Sequence, residues 1–254
     1  MALIYDKQGE EFLAQAPAVG PWDPASQSGV TLAGLMAHAA ETTPCQPGMD
    51  LARFHLDILR PVAMAKPIRI ERAFVRDGRR LQVVDLSLTS DGELAARATA
   101  VRLRLRETPD LAPPTTPIDP ETLDAPSMSQ RRAMRGLITS RLLRGGIENL
   151  GPGDAWFRFE ADIAPGAPIT PFVTAAMVSD IGSGLSSVVD WRTYTFSNID
   201  ISINLTRAPR DPWIRVQAET LTHGGGRALV NTTLSDRFGP FAQAHQTLFI
   251  DPRG

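Results

Sequence analysis

The sequence predicts an α+β chain made of two related halves, each a long apolar helix wrapped by a curved antiparallel sheet. Three observations carry this. Many short runs alternate apolar and polar residues with period two, the mark of strands with one buried face. Two longer stretches, Gly29 to Thr42 and Pro171 to Val189, are apolar or small on every side, as a helix buried all round requires. Between the halves, Glu107 to Pro126 reads ETPDLAPPTTPIDPETLDAP, with six prolines that remove backbone donors and fix φ. The expected organisation is residues 1–106 as one unit, 107–128 as a proline-rich linker and 129–254 as a second unit.

In the first half the helical stretch is followed by strand signals. Phe54, Leu56 and Ile58 alternate with Arg53, His55 and Asp57, and Ile68 and Ile70 alternate with Arg69 and Glu71. Val101, Leu103 and Leu105 alternate with Arg102, Arg104 and Arg106, which predicts the aliphatic side chains on the buried face. Asp77-Gly78 and Asp91-Gly92 are hairpin turns. The second half repeats the plan. Phe157, Phe159, Ala161 and Ile163 form one run, Ile199, Ile201, Ile203 and Leu205 another. Trp213 to Leu221, Arg227 to Leu234 and Phe241 to Ile250 follow, with turns at Gly224 to Gly226 and at Phe238-Gly239-Pro240. Sliding one half on the other by about 147 residues puts Gly92 on Gly239, Leu94 on Phe241 and Thr99 on Gln246, the scale of a duplicated domain. One buried helix in a curved antiparallel sheet is the hotdog fold, and two copies in one chain make a double hotdog.

Composition narrows the function. A net charge of -2 gives no global reason for nucleic acid or an anionic membrane as partner. The single cysteine, Cys45, excludes a disulfide framework and a multi-cysteine zinc site. No apolar run is long enough to span a membrane, and the N-terminus lacks the layout of a signal peptide, so cytoplasmic residence is expected.

Several segments resemble the acyl-CoA thioesterase II family, within the thioesterase-like superfamily. Gly29 to Thr42 has the length and small-residue spacing of that family's first helix and ends, as there, in Glu41-Thr42. Phe54-His55, Leu59-Arg60-Pro61 and Lys66-Pro67-Ile68 keep the spacing of its central strand pair, and Arg76-Asp77-Gly78 resembles the turn that follows. Phe196 to Asp200 and Gly239 to Leu248 are similar to the second half of such proteins. The resemblance implies an acyl-CoA substrate, no cofactor, no metal, and a homodimer.

It also implies a site built from the second half. The family's aspartate matches Asp180, its strand-start Thr or Ser falls on Asn198, and its glutamine matches Gln246. Asparagine still donates and accepts hydrogen bonds, but a role that needs a hydroxyl is lost. The first-helix glutamine is Val30 here, which leaves the first half without a catalytic set of its own.

The residues support this independently. Asp180 is the only charged residue between Pro171 and Val189, where a carboxylate is costly unless paired. The alternative is an N-cap, with a helix restarting at Gly182, Ser183 and Gly184. Gln246 falls on the face of its strand shared by Ala242, Ala244 and Leu248, or is an edge polar residue. Asn198 is a site residue or turn chemistry. Thioester hydrolysis needs an activated water, a stabilised oxyanion and an apolar channel. Asp180 is the candidate base, Gln246 and Asn198 hold the water or carbonyl, and backbone N–H groups near Gly182 and Ser183 are the candidate oxyanion donors.

Other candidates are weaker. His38, His55, His223 and His245 show no metal-ligand spacing, and Gly224 to Gly226 lacks the context of a phosphate loop. Ser129 to Arg144 reads as a basic amphipathic helix, with Arg131, Arg132, Arg135, Arg141 and Arg144 opposite Met134, Leu137, Ile138, Leu142 and Leu143. Rival functions are a non-catalytic acyl-CoA or fatty-acid binding protein, and an enoyl-CoA hydratase, which wants a His close behind its Asp.

Overall fold

The computed structural model describes residues 2–112, 114–128 and 136–253. The first part contains β1 (Ala2–Leu3), β2 (Tyr5–Gln8), β3 (Glu11–Ala14), α1 (Gly29–Glu41), β4 (Met49–Ile58), β5 (Ile68–Asp77), β6 (Leu81–Ser90) and β7 (Glu93–Arg104). The second contains β8 (Ile138–Arg144), β9 (Gly153–Phe159), β10 (Ala161–Ala164), β11 (Ala167–Pro168), α2 (Pro171–Leu185), β12 (Tyr194–Asn198), β13 (Asp200–Leu205), β14 (Ile214–Leu221), β15 (Arg227–Asp236) and β16 (Gly239–Pro252). No helix among the described residues is long and apolar enough to cross a membrane.

The main sheet runs in the order β2-β3-β5-β6-β7-β4-β13-β16-β15-β14-β9-β8, with β12 on β16. All its pairings are antiparallel. Its centre is a mirrored repeat: β5-β6-β7-β4 on one side, β14-β15-β16-β13 on the other. β4 and β13 join them, with Phe54 opposite Ile203 and Leu56 opposite Ile201, all four buried. Bulges at Leu51/Arg53, Phe74/Arg76, Leu88/Thr89 and Leu234/Ser235 increase the twist. The three turns between β6 and β7, β14 and β15, and β15 and β16 hold positive-φ residues, including Asp91 at 55° and Gly92 at 77°.

The two helices pack antiparallel inside this sheet. α1 is buried from Val30 to Ala37. Thr170 caps α2 by accepting from the Val173 amide at 3.1 Å, and Pro171 fits the first helical position. The same hydroxyl donates to Glu41 Oε2 at 2.6 Å, so the start of α2 meets the end of α1. At mid-length Gly34 permits the close approach, since a Cβ there would lie 2.8 Å from Met177 Cγ.

Three sequence expectations are corrected. Over 138–144 the expected amphipathic helix is the strand β8, with Ser140 buried and accepting from the Met128 amide at 2.9 Å. Of the rest of that expected helix, Gly136 and Leu137 form a turn, and residues 129–135 lie outside the described residues. In β7 the alternation is present but the faces are exchanged: Arg102 is 3% exposed, Leu103 47%. The reason is the end of α1. The Arg102 guanidinium donates to Ala40 O, to Thr43 O at 2.9 Å and to Gln82 Oε1 at 2.6 Å, satisfying carbonyls that the helix leaves without donors.

The third is the internal alignment. Thr99 lies opposite His55, His55 opposite Ser202, and Ser202 opposite His245. Thr99 therefore shares a face with His245, not with Gln246, and its hydroxyl donates to Asp85 Oδ1 at 2.8 Å. A slip of one residue exchanges the faces of a strand.

Candidate active site

Asp180 stands in α2 one and a half turns before its end, half-buried, with its carboxyl on the wall of a cavity of about 730 Å³. The cavity lies between the start of α1, the segment after β4, the end of α2 and β12. Its walls are mainly apolar, with Val30, Leu32, Ile58 and Val62 from the first half and Met128, Ile138, Leu142, Ile181 and Phe196 from the second. Burial pushes the Asp180 carboxyl up to about 6, and a hydrogen bond from Asn198 pulls the other way.

Asn198, the last residue of β12, points back at the helix. Its Nδ2 donates to Asp180 Oδ1 at 2.7 Å and to the Asp180 carbonyl at 3.0 Å, while its Oδ1 is buried with no hydrogen-bond partner among the described residues. Gln246 is fully buried in β16, under α2 rather than on the cavity wall. Its Nε2 donates to the Asp180 carbonyl at 3.3 Å. Three predicted residues thus converge, but in different roles. Asn198 touches the carboxylate. Gln246 touches only the main chain that carries it.

Gly182 and Ser183 are not at a helix start. α2 runs unbroken to Leu185, so both sit in its last turn, where amides are spent inside the helix and the dipole is negative. The expected oxyanion donors at these two residues are corrected, and so is the N-cap reading of Asp180. Gly182 serves packing instead. A Cβ there would fall 2.7 Å from Gln246 Oε1 and 3.0 Å from Thr232 Oγ1, so glycine is what admits Gln246 beneath the helix.

The helix start at this site belongs to α1. A Cβ on Gly29 would lie 2.6 Å from Asp180 Oδ1 and 3.0 Å from Oδ2. Ser28 makes no side-chain cap, and the first amides to bond back to its carbonyl are those of Thr31 and Leu32. Among the described residues the amides of Gly29 and Val30 donate to no backbone carbonyl, and they sit at the positive end of the helix dipole. Sequence reading missed them, although a serine just before an apolar helical run is a start signal. It also missed Thr232, whose buried hydroxyl has no partner among the described residues.

The remaining candidates lie elsewhere. His55 pairs with Asp57 at 3.2 Å and His245 with Asn231 at 2.9 Å, both on the outer face of the sheet. Cys45 is exposed. Among the described residues no group of three or more His, Cys, Asp or Glu could hold a metal ion.

Known proteins share both the fold and the domain pattern. Residues 18–103 match the family model of the acyl-CoA thioesterase N-terminal domain, and residues 109–250 that of the acyl-CoA thioesterase C-terminal domain. No curated protein matches. Solved structures share the fold at low identity. One is an acyl-CoA thioesterase II, TesB2, of Mycobacterium marinum, with a TM-score of 0.70, 16% identity, and 97% of this chain and 94% of that one covered. Another is a conserved protein of unknown function with hot dog fold from Alicyclobacillus acidocaldarius, with a TM-score of 0.74, 18% identity, and coverage of 98% and 96%. The two domain matches together take in both helices, the central strands and every residue placed around the cavity from Gly20 to Ile199, and the chain belongs to the acyl-CoA thioesterase family.

Proposed function

We propose that this protein hydrolyses acyl-CoA thioesters to the free acid and coenzyme A, at one site and without a covalent intermediate, on a double hotdog divided by the linker 107–128. The observation that carries the reading is one carboxylate, raised to about 6, set in an apolar cavity against the uncapped start of another helix.

Each part has a role in that reaction. Asp180 takes a proton from water, and the water oxygen attacks the thioester carbonyl carbon. A base with a pKa near 6 is ionised at neutral pH and remains basic enough to accept that proton. Asn198 fixes one carboxylate oxygen through Nδ2 and so orients the other for the water. The developing oxyanion is held by the amides of Gly29 and Val30. The carbon–sulfur bond then breaks, and the proton on Asp180 passes to the departing thiolate. The apolar walls take the acyl chain. Gln246 fixes the turn of α2 that carries Asp180, which makes it a positioning residue.

Nothing in this sequence of steps needs the hydroxyl that the family places at residue 198. A binding-only protein would leave the carboxylate without a role. The test is thiol release from a panel of acyl-CoAs of different chain length, with steady turnover expected for at least one. No release from any, alongside tight acyl-CoA binding, would favour the carrier reading.

A further inference from the structure

Behind the cavity-wall residue Trp22 stands a cation, Arg253, whose guanidinium is fixed but pairs with no carboxylate among the described residues. Arg253 follows β16. Its amide donates to Thr193 O at 2.8 Å, and its Nε donates to Trp191 O at 2.7 Å and lies 3.3 Å from Tyr194 O. Its guanidinium stands 5.3 Å from the ring centre of Trp22, a cavity-wall residue that meets Phe196, another, edge-on at 5.1 Å.

These contacts use only Nε and the backbone. Both Nη groups remain as a fork, and among the described residues no carboxylate pairs with them. The neighbouring arginines are engaged otherwise. Arg192 donates to Glu148 and Asp190, and Arg60 is paired with Glu93. The rim carboxylates are engaged too: Asp23 accepts from the Ala25 amide and the Ser26 hydroxyl, Glu148 from Trp191 and Arg192.

We propose that Arg253 grips the diphosphate of the coenzyme A half of the substrate, through a guanidinium fork held in place by the 191–194 carbonyls and the Trp22 face. The inference rests on the hydrolase reading for its substrate. Guanidinium suits phosphate because two parallel N–H groups meet two oxygens, and pre-fixing the fork removes the ordering cost of a free arginine. The distance is suitable as well. Arg253 stacks on Trp22, and from there the wall runs through Phe196 to Asn198, two strand residues further at about 3.3 Å each, which an extended pantetheine arm can span. The same chemistry would meet the single phosphate of a carrier-protein arm, so the source must be separated by experiment.

The variant is Arg253→Gln, compared with wild type on one acyl group carried by coenzyme A, by phosphopantetheine and by N-acetylcysteamine, which has no phosphate. The expected result is a KM for acyl-CoA raised about tenfold or more, kcat within about twofold, and an unchanged KM for the N-acetylcysteamine thioester. Arg253→Lys should recover part of the loss. A shift on phosphopantetheine as large as on coenzyme A would assign the grip to the inner phosphate, a smaller one to the diphosphate as a whole. Equal KM shifts on all three thioesters would make Arg253 a clamp on the 191–194 loop and overturn the proposal, as would no shift on any. If wild type hydrolyses none of them, the hydrolase reading fails, and calorimetry with free coenzyme A decides the grip alone. A tenfold weaker affinity in Arg253→Gln upholds it. Equal affinity, or no binding to wild type, overturns it.

Discussion

At the scale of single residues, Asp180 and the two glycines that border its network shape the site. Asp180 is charged at neutral pH at a cost. Its folded pKa lies above the usual carboxylate value, so its contribution to stability is complete below about pH 4 and is lost as pH rises through about 6. A shift of this size is worth at most about 3 kcal/mol, less for the part of the side chain that solvent reaches. Asp180→Asn should therefore unfold at a higher temperature than wild type at pH 8, with the difference vanishing near pH 4, as thermal melts across that range would show. A destabilised variant at pH 8 would mean that the carboxylate holds the fold together. Gly29→Ala tests the approach of α1. A Cβ placed 2.6 Å from Oδ1 must displace the carboxylate, so kcat should fall by about ten- to a hundredfold with little change in melting temperature. Unchanged kcat would show that the two helices are free to move apart there. The place of Asp180 as a candidate was legible in the sequence because a lone carboxylate in an apolar stretch is conspicuous. The approach of Gly29 was not, because the contact joins residues far apart in the chain.

At the scale of elements, periods were legible in the sequence and faces less so. The helical stretches, the hairpin turns and most alternating strands stand where expected. β7 exchanged its faces because a buried arginine that caps α1 outweighs the burial of Leu103. β1 to β3 went unread, being short and mixed in character; β1 pairs in parallel with β10, and Ile4 and Tyr5 are fully buried. The Arg102 cap gives a prediction of its own. Arg102→Met keeps the volume and removes the donors to Ala40 O and Thr43 O, which should cost about 2–4 kcal/mol and lower Tm by roughly 5–15 °C with activity retained at low temperature. A melting temperature within a degree of wild type would show that solvent takes over those carbonyls. At the other strand pair, Gln246→Ala should let the turn carrying Asp180 shift and lower turnover by about ten- to a thousandfold, while Thr99→Ala, on the outer face, should leave it nearly intact. Equal losses at both positions would contradict the register described above.

At the scale of the whole molecule the repeat is structural and the proposed chemistry is single. The two helices meet at both ends. At one end Gly29 packs directly against the Asp180 carboxylate on the cavity wall. At the other, where a twofold repeat would place a second site, the Thr170 hydroxyl is bound to Glu41. Burial raises the pKa of the Glu41 carboxyl, as expected for a group largely closed off from solvent. Assembly is a separate matter. Val75 and Leu105 are exposed on a sheet whose β5 edge is largely unpaired, and we expect a homodimer in solution, with light scattering giving twice the 27.5 kDa chain mass. A monomer mass would show that the two halves suffice for each other. Most of the chemistry above depends on Asp180 being the base of an acyl-CoA hydrolase, and the pH dependence of thiol release by wild type and Asp180→Asn tests this most directly. The expected result is a wild-type rate that climbs through about pH 6 to a plateau, and a folded Asp180→Asn with no measurable release at any pH. A folded Asp180→Asn that releases thiol at the wild-type rate would remove Asp180 from the reaction, and the hydrolytic mechanism proposed for this site with it.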